Sequence, residues 1–221
     1  MDFKTKGKLW VFGDSFSSYN GIFPGPIHSN PYYKYKTGKN DNAWFVHLKR
    51  KLDLSLINKA EGGYSNDHIF AIVIENINKI KRGDVVIMST SFNNRVYIPN
   101  KHNKLVDYPI VLQMAPGDLE PVAANLIERY CTMFCEYDFK QRSAFSKQTE
   151  ERFKFLKNIM DNYIGVKSSV VWSVYGNWDK FESITTATNK KIEDGHWSYK
   201  GHYDFFKYIR KEYEKNTNSK R

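Results

Sequence analysis

Cysteine is scarce in this chain: 221 residues hold only two, Cys131 and Cys135. That excludes a disulfide-stapled scaffold, and two thiols alone fall short of the four ligands of a structural zinc site. Their spacing of four places them on one face of a predicted helix, as ordinary residues kept reduced. Long apolar runs are also missing. No stretch reaches the roughly 18 apolar residues of a membrane span, and Met1 to Lys6 lacks the apolar core of a signal peptide. The expected location is cytoplasmic, or within a particle assembled in the cytoplasm. Internal repeats and low-complexity segments are absent as well.

Acidic residues are outnumbered, 24 against 34 basic, for a formal charge of +10. A positive surface attracts anions, or simply keeps the chain soluble. The basic residues are scattered in sequence, without an arginine-rich helix or zinc-finger spacing, which argues against nucleic acid. Apolar residues make up 41%, with 15 Tyr, 15 Phe and 5 Trp. That is enough to build a core without metal or disulfide. The length favours a single domain over 1–221, with its core at about 8–213 and a polar tail, 214–221, that frays.

Short apolar runs alternate with helical periods. Lys8–Gly13, Asp84–Thr90 and Ser168–Tyr175 read as buried strands, and Leu54–Ala60 as a further strand. Ala43–Leu52, capped by Asp41 or Asn42, reads as a helix, as do Asn66–Ile80, Asp118–Tyr137, Lys140–Ile164 and Tyr199–Tyr213. Ile22–Asp41 reads as a long loop or lid, and Ser91–Gly117 as an irregular insertion. The alternation predicts an α/β protein: a three-layer α/β/α sandwich with a parallel central sheet. Functional loops in such sheets lie beyond the carboxyl ends of the strands.

Four short motifs sit where that rule points. Gly13-Asp14-Ser15 follows the first strand, so Ser15 stands at the crevice edge beside a glycine. Glu61-Gly62-Gly63-Tyr64-Ser65-Asn66 follows the second, and glycine lets backbone amides approach an oxyanion. Ser91-Phe92-Asn93-Asn94 follows the third, with a side-chain amide donor. Asp194-Gly195-His196-Trp197 precedes the last helix. A serine hydroxyl needs a base, and histidine beside a carboxylate supplies one. Each motif also has a plain structural reading as a turn or cap.

In their order these blocks resemble the SGNH (GDSL) hydrolase family, over about residues 8 to 213. The resemblance implies the flavodoxin-like fold of that family and a serine esterase needing no metal or cofactor. It implies a catalytic set of Ser15, Asp194 and His196, and an oxyanion hole from Ser15, Gly63 and Asn93. Two departures stand out. The third block has Ser91 and Asn94 where glycine and aspartate are usual. The last block has Asp194 two residues before His196 instead of three, so Glu193, at the usual spacing, is the alternative acid. His202 is assigned to the start of the closing helix. The expected substrate is an ester, foremost an O-acetyl group on a carbohydrate, with Phe23, Tyr32, Tyr33 and Tyr35 as stacking aromatics. Alternatives are O-acyl transfer by the same residues, and a non-catalytic carbohydrate-binding or structural protein on this fold.

Overall fold

In the computed structural model, the described residues are 7–18, 43–91, 95–99, 104–109, 139–173, 183–185, 193–197 and 199–220. The elements are β1 (Lys8–Phe12), α1 (Trp44–Leu52), β2 (Ser55–Asn58), α2 (Asn66–Asn76), β3 (Val85–Thr90), β4 (Arg95–Pro99), β5 (Leu105–Pro109), α3 (Phe139–Asn158), β6 (Ser168–Ser173), β7 (Ser183–Thr185), β8 (Glu193–Trp197) and α4 (Tyr199–Asn218). A 3₁₀ turn, Ile77–Lys79, extends α2, and a π-helical turn, Ile159–Ile164, extends α3.

Four strands form one parallel sheet in the order β2-β1-β3-β6. Alternation along each strand sends successive side chains to opposite faces. Leu9, Val11, Val85 and Ile87 pack with Trp44, Phe45 and Leu48 of α1 and Phe205 and Ile209 of α4. Trp10, Phe12, Val86 and Met88 pack with Ile69 and Val73 of α2 and Phe153 and Leu156 of α3. β1 and β3, central and buried on both faces, therefore read as apolar runs, whereas β2 at the edge is only partly buried. The protein is therefore a three-layer α/β/α sandwich around a parallel sheet.

Several local expectations are corrected. The residue that caps α1 is Ala43, with no side-chain cap bond; Asp41 and Asn42 lie outside the described residues. The basic last turn of α1 (Lys49, Arg50, Lys51) suits the negative end of the helix dipole. The segment after β3, read as irregular, contains an antiparallel hairpin of β4 and β5. The tail read as fraying is helical to Asn218, because the Asn216 amide donates to the Ser169 carbonyl at 2.9 Å. The lid at 22–41, the helix at 118–137, both cysteines and the four loop aromatics lie outside the described residues. Among the described residues, no helix is long and apolar enough to cross a membrane.

Candidate active site

The sheet order fixes where a crevice opens. From β1 the chain goes to β2 on one side, then crosses back to β3 on the other. Between the carboxyl ends of β1 and β3 lies the point where the winding reverses, the usual ligand position in open α/β sheets. The turn after β1 sits there.

That turn is tightly built. The Ser17 amide donates to the Asp14 carbonyl at 3.0 Å, and the Phe16 amide to Asp14 Oδ1 at 3.2 Å. These bonds close an Asx-type turn around Ser15. The Glu61 amide donates to the Gly13 carbonyl at 3.2 Å, continuing the ladder of β2 past its end. Asn58 donates its side-chain amide to the Ser17 carbonyl at 2.8 Å. Trp44 Nε1 donates to the Phe16 carbonyl at 3.0 Å. Gly13 is required by close packing: a Cβ there would overlap the Ser89 hydroxyl and stand 3.0 Å from Ser17 Oγ. Of residues 13–18, all are buried except Ser15, which is half-buried. The fold thus hides five residues of the turn and opens the one that bears the candidate nucleophile.

Asp14 joins the strand ends into one network. Its buried carboxylate accepts from the Ser91 hydroxyl at 2.8 Å, across the reversal point. Ser91 in turn donates its amide to Asn66 Oδ1 at 2.7 Å, and its carbonyl accepts from Asn66 Nδ2 at 3.0 Å. The ends of β1 and β3 and the start of α2 are thereby locked together. Sequence reasoning marked Ser15 and the third block but missed Asp14, Ser91 and Asn66 as a connected frame. Their only sequence signal is their position beside the marked residues.

Gly63 lies at φ +93°, exposed, with open space where a Cβ would sit. Its role is conformational: only glycine adopts that backbone without strain. The turn it belongs to leads into Ser65, whose hydroxyl caps α2 by accepting from the His68 amide at 3.2 Å. A second cluster, not foreseen, leans on this turn from the hairpin. Asp107 Oδ1 accepts from the Ser65 amide at 2.8 Å, and its other oxygen meets His68 Nδ1 at 2.5 Å. The His68 ring stacks on Tyr97 with centroids 4.1 Å apart and contacts Tyr64 at 3.9 Å. Tyr64 donates its hydroxyl to Glu61 at 2.8 Å. Burial, reinforced by that bond to the Glu61 carboxylate, pushes the Tyr64 phenol well above its usual range. Burial, with Asp107 and Glu75, raises Tyr97 likewise.

Glu193, Asp194 and His196 fall in β8, which pairs with β7 and leads directly into α4; their side chains lie outside the described residues. Asn93 and Asn94 lie outside them entirely. His202 is on the first turn of α4 and buried, as its assignment to the closing helix required. The structure therefore brings Ser15, Gly63 and Ser91, the residue that opens the third block, to the carboxyl end of the sheet.

No protein-family model matches the chain, and no curated protein does. Among solved structures, the chain is similar to a protein from Desulfitobacterium hafniense DCB-2 described as lipolytic and of the G-D-S-L family. That match has 11% identity and a TM-score of 0.40, covering 92% of this chain and 98% of the other. It is also similar to a carbohydrate esterase family 2 enzyme with a carbohydrate-binding domain from Corynascus thermopiles (Myceliophthora fergusii), at 10% identity and TM-score 0.42, covering 96% and 67%. A third is phospholipase A1 from Streptomyces albidoflavus NA297, at 11% identity and TM-score 0.31, covering 97% and 78%.

Proposed function

We propose that the protein is a serine esterase of the SGNH type, with Ser15 as nucleophile. The observation that carries this reading is the turn itself. A serine stands at the winding reversal of a parallel sheet, half-open to solvent, while every neighbour in residues 13–18 is buried and bonded.

The step follows from the residues assigned to it. Ser15 Oγ bonds to the carbonyl carbon of an ester as its proton passes to His196. Asp194, or Glu193, orients the imidazole and stabilises its charged form. The amides of Ser15 and Gly63 and the Asn93 side chain hold the oxyanion. Collapse of that intermediate expels the alcohol, which takes the proton from His196. Water, deprotonated by His196, then attacks the acyl carbon; its bond to Ser15 Oγ breaks, Oγ takes the proton back from His196, and the acid leaves. The substrate class we favour is an O-acetylated carbohydrate, with the loop aromatics Phe23, Tyr32, Tyr33 and Tyr35 stacking on sugar faces.

Ser15→Ala is expected to abolish release of acetate from a chromogenic acetate ester and labelling by a fluorophosphonate probe. Activity retained by that variant removes Ser15 from the mechanism. Absence of labelling in the unaltered protein favours a non-catalytic binding role on the same fold. Acetate release from acetylated polysaccharide, set against release of longer acyl chains, tests the substrate class.

A further inference from the structure

Basic residues that are scattered in sequence are gathered by the fold at the end of the sheet opposite Ser15. The gathering point is Asp84, a buried carboxylate just before β3. Its oxygens accept from the Lys8 amide at 2.8 Å, Trp10 Nε1 at 2.9 Å and the Lys81 amide at 3.0 Å. Its carbonyl accepts from the Lys167 amide at 2.8 Å. These bonds pin the starts of β1, β3 and β6 together and stand three lysines around one point. The Ser55 amide donates to the Gly7 carbonyl at 3.3 Å, which brings in the basic end of α1 with Lys51. Lys8, Lys51, Lys81, Arg82 and Lys167 are all exposed, and none is in an ion pair among the described residues.

The acidic residues at this end offer little compensation. Asp84 is enclosed, and Asp161 is bound by Lys157, Lys220 and Ser169. Asp53 beside Lys51 and Glu75 in the last turn of α2 are exposed, and Glu214 on α4 pairs with Arg210. The same end carries Tyr163, in the π-helical turn four residues before Lys167, with 82% of its surface in solvent.

We propose that this end of the molecule docks on an anionic lipid bilayer. Helices α1, α2, α3 and α4 all run toward it, so it presents their carbonyl ends and not their amide ends. A phosphate seated on helix amides has no place there. The charge is carried instead on long, flexible lysine stems, which suit mobile headgroups at a charged surface. An exposed tyrosine among lysines fits the headgroup layer, where amphipathic rings settle. Docked this way, the Ser15 crevice faces away from the bilayer into water. The inference is independent of the esterase reading.

The test is sedimentation of the full chain with vesicles. Phosphatidylcholine vesicles containing phosphatidylserine at about a third of the lipid are expected to carry the protein down, and pure phosphatidylcholine vesicles are not. Added salt is expected to release it. The double variant Lys81→Glu/Arg82→Glu is expected to bind at least about tenfold more weakly, and Lys59→Glu, at the opposite end of the sheet, to bind unchanged. Circular dichroism melting of both variants establishes that they fold. The inference is overturned if phosphatidylserine vesicles leave the protein in solution, if neutral vesicles bind it equally, or if Lys59→Glu weakens binding as much as the double variant does. It is also overturned if duplex DNA at equal phosphate strips the protein from the vesicles, which would assign this end to nucleic acid.

Discussion

At the scale of single residues, the turn after β1 divides labour between atoms. Asp14 and Ser17 spend their polar groups on holding the backbone, through Ser91, Phe16 and Ser89. Ser15 sits on the resulting frame. Gly13 makes the frame possible, because the Ser89 side chain occupies the volume of its absent Cβ. Gly13→Ala must push Ser89 or the strand end aside, an overpacking cost of about 1–3 kcal/mol. The expected outcome is a lower thermal midpoint and, on the proposed function, loss of chromogenic ester hydrolysis. A melting curve unchanged from that of the unaltered protein would show that the β1 and β3 ends can separate freely. That Ser15 and Gly63 stand in turns after β1 and β2 was legible, because glycine beside a strand end is a local signal. The Asp14–Ser91–Asn66 frame was not, since its members lie 77 and 25 residues apart and only the parallel pairing of β1 with β3 makes them neighbours.

At the scale of elements, Asp107 is the side chain among the described residues that hydrogen-bonds the hairpin β4–β5 to α2 and its cap. Asp107 accepts from the Ser65 amide and meets His68, with Tyr97 stacked on the same imidazole. Asp107→Ala leaves both donors without that acceptor, at a cost of about 1–3 kcal/mol. The loss falls on the hairpin and not on the sheet. Amide hydrogen exchange is expected to accelerate across β4 and β5 while β1, β3 and β6 keep their protection. Uniform acceleration over the whole chain would instead make Asp107 a global element of stability. This hairpin escaped the sequence reading because Pro99 and Pro109 end its strands, so it resembled loop. The central strands β1 and β3 had no such disguise, since burial on both faces gives Leu9–Phe12 and Val85–Met88 as apolar runs.

At the scale of the whole molecule, the sheet separates a polar, hydrogen-bonded crevice at one end from a basic surface at the other. Asp161 is the carboxylate that holds the basic end to α4. Burial pushes its pKa up, but hydrogen bonds from Lys157, Lys220 and Ser169 outweigh that and leave it below the ordinary 3.8. A carboxyl held below its unfolded value stabilises the fold fully above that value and loses the contribution as pH falls through the lower folded one. Asp161→Asn is therefore expected to lower the thermal midpoint at neutral pH. The gap from the unaltered protein should narrow only below pH 3.8. A constant gap at every pH would mean the carboxylate acts through shape alone. The basic end could not be read from sequence, because charge scattered along a chain acquires a direction only after the strands are stacked.

The pairing of the central sheet also bears on how the chain is made. β1 is an interior strand, flanked by β2 and β3, yet it is made before either of them. Its partner β3 begins at Val85, so at about 5–20 residues per second the apolar Leu9–Phe12 segment waits several seconds with one edge unclaimed. Nascent chains of this protein should therefore depend on a holding chaperone until Val85–Thr90 has emerged.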